Sequence, residues 1–175
     1  LKLYDPGFNQ VTQPTLAFLG ELTGIEGGGA AFIDPIGVAV SPDGKVVYVA
    51  CNKMDEIIEV DRASWQITRR IKSGRGPYNL GVSPDGKLLV ATLKQSAGFE
   101  IFDIATGQSL ALLKNSTTVA NGVAISDDSK YAFVASEGVG AAPGKVDIYD
   151  LAARVKVATV DVAQQAGGIA FWKAE

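Results

Sequence analysis

The chain has 175 residues, a formal net charge of −3 and 16 basic residues that are scattered along its length. That scatter argues against a nucleic-acid-binding surface, which needs a basic stripe, and the 47% content of hydrophobic residues argues against disorder. The sequence contains no histidine, so it lacks the usual base of Ser/His or Cys/His catalysis, the commonest zinc ligand and the usual axial haem ligand.

One sequence motif occurs three times. It is complete in Ile36–Lys45 (Ile-Gly-Val-Ala-Val-Ser-Pro-Asp-Gly-Lys), nearly unchanged in Asn79–Lys87, and altered in Asn121–Lys130, which ends Ser-Asp-Asp-Ser-Lys. The serine of the motif recurs after 42 residues, from Ser41 to Ser83, and again after 43, at Ser126. A period near 40 residues, made of short apolar runs and turn residues, is typical of a β-propeller with one blade per repeat.

The period assigns the strands in chain order. Residues 1–22 match the third strand (Leu1–Asp5) and the fourth strand (Thr15–Leu22) of a blade. Complete four-stranded blades follow at 36–72, 78–114 and 121–161, and 167–173 matches a closing first strand, centred on Gly168–Trp172. We therefore predict an all-β chain, a β-propeller segment of four-stranded antiparallel blades, with about three complete blades and a partial blade at each end.

The turns carry signals of their own. In the first two repeats Ser-Pro-Asp-Gly joins the first strand to the second, with proline to fix one φ angle and glycine to accept a positive one. Asp127-Asp128-Ser129 replaces Pro-Asp-Gly in the third repeat, so we expect that turn to be less rigid. Each third strand ends in an aspartate that we expect to cap the next turn with its side chain: Asp61, Asp103 and Asp150.

The run Gly37–Ala50, Gly-Val-Ala-Val-Ser-Pro-Asp-Gly-Lys-Val-Val-Tyr-Val-Ala, resembles the YVTN-type β-propeller repeat family, and the resemblance covers nearly the whole chain. The ending Gly167–Lys173 is similar to the C-terminus of such proteins, where the last strand joins N-terminal strands to close the ring. The resemblance implies a roughly seven-bladed protein in the periplasm or outside the cell. Relatives include lactonases and the propeller subunits of periplasmic quinoprotein and haem enzymes.

The predicted strands do not fill four blades, whereas propellers have about 4–8. We therefore expect the chain to be the C-terminal portion of a larger propeller, whose missing N-terminal blades are its partner. The alternative is a second copy of the chain that meets it edge to edge, with Gly168–Trp172 of one copy near Leu1–Asp5 of the other, because open sheet edges invite such pairing.

Strand order places the second-to-third-strand loops and the interblade loops on one side of the propeller, called the loop face here, where propellers usually bind ligands. The candidate ligand-binding residues on it are Arg75, Tyr78, Asn79, Lys94 and Asn121, and the same face carries Asn52, Lys53, Asp55, Glu56, Gln95 and Glu137. Arg75 lies between two glycines that allow an anion to approach the backbone closely; the alternative is a solvated charge. Tyr78 and Asn79 replace Ile36 and Gly37 of the previous repeat, and this polar change indicates a site; the alternative is a local hydrogen bond to a neighbouring loop.

These features favour a non-enzymatic binding or scaffold propeller, exported from the cytoplasm, with a ligand or protein partner at the loop face. The alternative is part of a propeller enzyme, either a lactonase-like hydrolase or the propeller subunit of a periplasmic quinoprotein or haem dehydrogenase, whose catalytic groups lie outside this chain. Within the chain we predict no catalytic residue, no metal and no cofactor. We also predict no membrane span, because no apolar run approaches the roughly 18–20 residues that a membrane helix needs.

Overall fold

The structure is a computed structural model that describes residues 3–4, 10–12, 35–96 and 98–172. Near the start of the chain, β1 (Leu3–Tyr4) pairs antiparallel with β2 (Gln10–Thr12). The fourth strand predicted at Thr15–Leu22 lies outside the described residues, so the partial blade at 1–22 stays a prediction.

Three antiparallel four-stranded sheets follow, and in each of them strands adjacent in the chain are adjacent in the sheet. The first sheet contains β3 (Pro35–Val40), β4 (Val46–Cys51), β5 (Glu56–Asp61) and β6 (Ile67–Lys72). The second contains β7 (Pro77–Val82), β8 (Leu88–Leu93), β9 (Gly98–Asp103) and β10 (Ser109–Lys114). The third contains β11 (Val119–Ile125), β12 (Tyr131–Glu137), β13 (Gly144–Asp150) and β14 (Val155–Val162). The predicted all-β architecture of four-stranded antiparallel blades is confirmed.

The sheets pack face to face through the side chains of their central strands. One buried cluster joins the first sheet to the second and includes Tyr48, Ala50, Ile57, Leu89 and Phe102. A second cluster joins the second sheet to the third and includes Val90, Phe99, Ile101, Val134 and Tyr149. Since the middle sheet has apolar neighbours on both faces, its central strands are apolar at nearly every position instead of every second one.

The described residues after β14, 163–172, form no strand. Residues 163–172 have no ladder partner among the described residues, and they lie against β11 instead: a Cβ built on Gly122 would be 2.6 Å from the carbonyl oxygen of Gly167 and 3.0 Å from the nitrogen of Ile169. A first strand needs the second strand of its own blade to complete a ladder. The closing strand at 167–173 therefore stays a prediction.

All three turns between first and second strands are held by the same hydrogen bonds. The serine Oγ donates to the aspartate two residues later, at 2.7 Å for Ser41 and 2.6 Å for both Ser83 and Ser126. The aspartate also accepts the backbone N–H of the following lysine, at 3.1 Å in each turn. The expected loosening of the third turn thus has no counterpart in its hydrogen bonding; its altered sequence instead places Ser129 at a φ of 60°, a region that glycine favours.

The turns between third and fourth strands confirm the predicted aspartate caps. Asp61, Asp103 and Asp150 each accept the backbone N–H three residues later, at 2.8, 2.7 and 2.7 Å. One residue further on, each turn needs a positive φ. Glycine supplies it in the second blade, but Trp65 and Arg154 adopt φ angles of 61° and 58° in the other two, and such angles strain a residue that has a Cβ.

We predict that Arg154→Gly stabilises the chain by about 0.5–1 kcal/mol, because glycine removes the strain of the left-handed backbone. Thermal unfolding followed by circular dichroism should show a melting temperature about 2 °C higher. Arg154→Ala is the matched control, since it removes the guanidinium but keeps the Cβ. A glycine variant no more stable than the alanine variant would contradict the prediction.

Candidate ligand-binding site

A polar pocket of about 490 Å³ opens on the loop face, where β7 and β11 begin, β12 ends and the segment after β14 passes. It is lined by Tyr78, Asn79, Asn121, Glu137, Gln165, Gly167 and Gly168. Three of the five predicted candidates, Tyr78, Asn79 and Asn121, therefore meet in one place. We call this cavity the polar pocket.

A chain of hydrogen bonds crosses between the second and third sheets beneath the pocket. The backbone N–H of Asn79 donates to Oγ1 of Thr92 at 2.9 Å, and the Thr92 hydroxyl donates to the backbone carbonyl of Asn121 at 2.7 Å. The side-chain amide of Asn121 then donates to the Glu137 carboxylate. Because Thr92 and Asn121 are buried, this chain fixes the Glu137 carboxylate at the pocket wall.

The other repeats show how the contact between β7 and β11 differs from the equivalent contacts of the neighbouring blades. At the position of Asn79 the neighbouring blades have Gly37 and Gly122, and at the position of Thr92 they have Ala50 and Ala135. A Cβ on Gly37 would lie 2.2 Å from the carbonyl oxygen of Tyr78, so the first strands touch closely there. Asn79 carries a Cβ, and the carbonyl of the next first strand accepts the Thr92 hydroxyl instead.

Lys94 lies beside the pocket. Its ammonium nitrogen is 3.9 Å from the centroid of the Tyr78 ring, a cation–π contact with a residue that lines the pocket. Lys94 directly follows β8, Asn52 directly follows β4, and Glu137 is the last residue of β12. These three residues are equivalent in the repeat, so the same position is positive, neutral and negative in the three blades.

Arg75 is exposed and does not line the pocket, and its guanidinium donates to the Gln95 side chain at 3.4 Å. The backbone donors of its loop are already taken. The N–H of Gly74 donates to Glu100 at 2.7 Å, that of Arg75 to Ser96 at 3.0 Å, and that of Gly76 to Asp55 at 2.8 Å. The sequence argument for Arg75 depended on close backbone approach by an anion, and only its side chain can make such a contact.

Buried carboxylates on third strands hold both interblade loops. Glu100 accepts the N–H two residues after β6, and the equivalent Asp147 accepts the N–H of Ser116, two residues after β10, at 2.6 Å. Asp147 is fully buried and accepts two more hydrogen bonds, from the Ser116 hydroxyl at 2.7 Å and the Thr159 hydroxyl at 2.6 Å. The Nζ atom of Lys156 lies 3.5 Å from Oδ1 of Asp147. These contacts fix the positions of the two interblade loops that precede β7 and β11.

The pKa of Asp147 results from opposed effects. Burial raises the pKa of this carboxyl, whereas the hydrogen bonds from Ser116 and Thr159 and the charge of Lys156 lower it. The lowering effects prevail, so the pKa lies below its ordinary value of 3.8 and Asp147 is ionised in the folded protein at neutral pH.

The lining residues that the sequence does not single out as ligand-binding are Glu137, Gln165, Gly167 and Gly168, and neither does it single out Thr92, which lies beneath the pocket. The sequence places Glu137 on the loop face without marking it as a ligand-binding residue. Comparison of equivalent repeat positions would have found Thr92, because alanine stands there in both neighbouring blades. Gln165 and the two glycines belong to a segment whose path depends on its packing against β11, and no local pattern predicts that.

Two further observations concern the described part of the chain. Nowhere in residues 35–96 and 98–172 do three or more Cys, Asp or Glu side chains come together in a way that could hold a metal ion. The described residues also include no helix with the length and apolar character needed to cross a bilayer.

No family model matches the chain, and no curated protein is significantly similar to it. Solved structures do match. Hydrazine synthase of Kuenenia stuttgartiensis superimposes with a TM-score of 0.72 and 24% identity, over 81% of this chain and 40% of that one. The structure of U3-55K superimposes with a TM-score of 0.68 and 18% identity, over 82% of this chain and 44% of that one. The WD40 repeats of RRP9 superimpose with a TM-score of 0.66 and 18% identity, over 82% of this chain and 42% of that one.

The chain thus spans about two fifths of the length of each solved structure. At these identities the likeness shows the fold alone, which is that of a β-propeller.

We predict that Asp147→Asn lowers the free energy of unfolding at pH 7 by about 2–4 kcal/mol, because an amide nitrogen would face the Ser116 and Thr159 donors. Since the folded pKa is lowered, the stabilisation by Asp147 is complete above the unfolded pKa of 3.8 and is lost as pH falls through the folded pKa. The difference between wild type and variant should therefore shrink below about pH 4 in urea unfolding curves. Asp43→Asn, an exposed turn carboxylate, is the control, and an equal effect there would contradict the role of burial.

Proposed function

We propose that the chain is part of a non-enzymatic binding or scaffold propeller of the YVTN type, and that its ligand or protein partner binds the polar pocket on the loop face. The observation that carries this proposal is the paired departure of Asn79 and Thr92 from the glycine and alanine of the neighbouring repeats. The neighbouring blades have glycine and alanine at these two positions, which shows that packing between blades needs no polar side chain there. The polar pair instead opens a cavity and orients two amides and a carboxylate around it.

The surroundings of the pocket support the same proposal. Lys94 places a positive charge beside it, and Tyr78 offers an aromatic ring. Polar groups that converge on a preformed concave site are the usual composition of a ligand site. Export to the periplasm or the cell exterior belongs to the proposal through the repeat resemblance. The likeness to hydrazine synthase is one of fold and brings no activity to this chain.

The open face of the third sheet is the second part of the proposal. Ala132 and Val134 of β12 pack toward the second sheet, so alternation turns Tyr131 and Phe133 to the opposite side. There the Phe133 ring contacts Phe171 of the segment after β14, with ring centroids 5.9 Å apart, whereas Tyr131 and Val160 are 37% and 51% exposed. The equivalent faces of the first two sheets each pack on the next blade. We propose that a further blade covers this face, supplied by the missing N-terminal blades or by a second copy of the chain.

The double variant Asn79→Gly, Thr92→Ala restores the residues of the neighbouring repeats and should close the pocket while leaving the fold intact. A library of small polar molecules and peptides is screened by thermal shift against wild type and this variant. Ligands that stabilise wild type should lose most of their effect on the variant. Gly81→Ala, at a packing position on the same strand, checks for a general disturbance of β7. If every stabilising ligand acts equally on wild type and the double variant, the pocket is not the binding site.

The open face predicts concentration-dependent assembly when the chain is alone. Light scattering over a range of concentrations should show a species heavier than 18.3 kDa, weakened by the double variant Tyr131→Lys, Val160→Lys. Leu112→Lys is the matched control, because Leu112 is 56% exposed on the edge strand of the second sheet. A stable monomer that binds no partner chain would contradict both sources of the extra blade.

A further inference from the structure

We infer that the polar pocket binds a protonated amine or a guanidinium group, of the kind carried by lysine and arginine side chains, with Glu137 as its counter-ion. The inference rests on the proposed function of the pocket and adds the class of ligand. It follows from how the charges and hydrogen-bonding groups of the pocket are used within the chain.

Glu137 has the one carboxylate side chain among the residues that line the pocket. Its Oε1 accepts a hydrogen bond from the neutral Asn121 amide, and no lysine or arginine of the described residues lies within ion-pair distance of it. Glu56, at the outer part of the same face, has both Arg70 and Lys72 as ionic partners. The Glu137 carboxylate is therefore available to a cation from outside the chain.

The orientation of Asn121 reinforces the negative character of the pocket. Because its amide nitrogen donates to Glu137, its carbonyl oxygen is left as an acceptor, and the described residues provide no donor for it. Asn79 uses its backbone N–H on Thr92, and its side-chain amide makes no hydrogen bond to the described residues. The pocket therefore presents a carboxylate together with the amide oxygens of Asn121 and Asn79, which suits a ligand with several N–H donors.

Desolvation distinguishes the ligand classes. A neutral ligand that filled the pocket would take the half-buried Glu137 carboxylate further out of water without neutralising it, which is unfavourable. An anion would be repelled by the same group, and a metal ion would find too few carboxylates in the described part of the chain. A cation with several N–H donors both pairs the charge and satisfies the free acceptors.

Lys94 provides a second test of the inference, because removal of its charge should favour the binding of a cation, whereas removal of the Glu137 charge should weaken it. Its ammonium covers one face of the Tyr78 ring beside the pocket, and it carries the same charge as the inferred ligand. Removing that charge lowers repulsion and frees the ring face for a second cation. Loss of Glu137 and loss of Lys94 should therefore have opposite effects on the binding of a cation.

The experiment titrates the chain by NMR with three probes: acetyl-Gly-Arg-Gly-amide, the neutral acetyl-Gly-Gln-Gly-amide, and n-butylguanidinium. We expect the two cationic probes to bind and the neutral peptide to bind at least about tenfold more weakly. Glu137→Gln should weaken the cationic probes about tenfold or more, and Lys94→Gln should strengthen them about threefold. Tighter binding of the arginine peptide than of n-butylguanidinium assigns the ligand to a protein partner, and equal binding assigns it to a free small cation.

The controls change charge by the same amount on the opposite side of the propeller. Asp127→Asn and Lys87→Gln lie in the turns between first and second strands and should leave the affinities unchanged. Equal binding of the neutral and cationic peptides, or unchanged affinity in Glu137→Gln, would overturn the inference. Failure of both cationic probes, with another ligand lost in the Asn79→Gly, Thr92→Ala variant, overturns the inference but keeps the proposed function. Loss of no ligand in that variant overturns both.

Discussion

The close approach of neighbouring first strands is the constraint on which the rest of the loop face depends. Blades converge on these strands, so the space between them decides what can be built at the channel end. At Gly37 and Gly122 the next backbone lies where a Cβ would be, and no side chain fits. Between β7 and β11 the equivalent residue is Asn79, which has a Cβ, and the Thr92 hydroxyl links the two strands by accepting the Asn79 N–H and donating to the Asn121 carbonyl. The polar pocket lies at this contact and is lined by both asparagines.

A cavity between two blades requires that the surrounding loops be held in place by contacts other than those between the first strands. Glu100 and Asp147 meet that need from the buried faces of their sheets, because each receives the N–H of the preceding interblade loop together with a hydroxyl from a fourth strand. Buried carboxylates add little net stability when desolvation is included, but they accept hydrogen bonds in only a few geometries. Their contribution is positional, since they fix the loops next to the pocket.

The sequence allowed the fold to be predicted because its signals are local and repeated. The Ser-x-Asp turns and the aspartates that end third strands act within a few residues, and each occurs three times. Asn79 was found for the same reason, as a departure from a repeated pattern. The surroundings of Arg75 could not be predicted, because Glu100 and Asp55 accept the N–H groups of Gly74 and Gly76 from 26 and 21 residues away in the sequence and no pattern in the loop reveals them. The sequence alone does not mark Thr92 as a site residue, because threonine is common in β-strands.

The two sides of the propeller use the repeat differently. The turn side keeps the same serine, aspartate and lysine contacts in every described blade, even where Ser129 must accept a strained φ to do so. The loop face varies at equivalent positions, with Asn52, Lys94 and Glu137 in turn at the end of the second strand. A fold that needed only packing would gain nothing from three different charges at one backbone position. The variation makes each contact between blades chemically distinct, and the polar pocket lies at the contact where Glu137 ends the second strand and Asn79 replaces the glycine of the first strand.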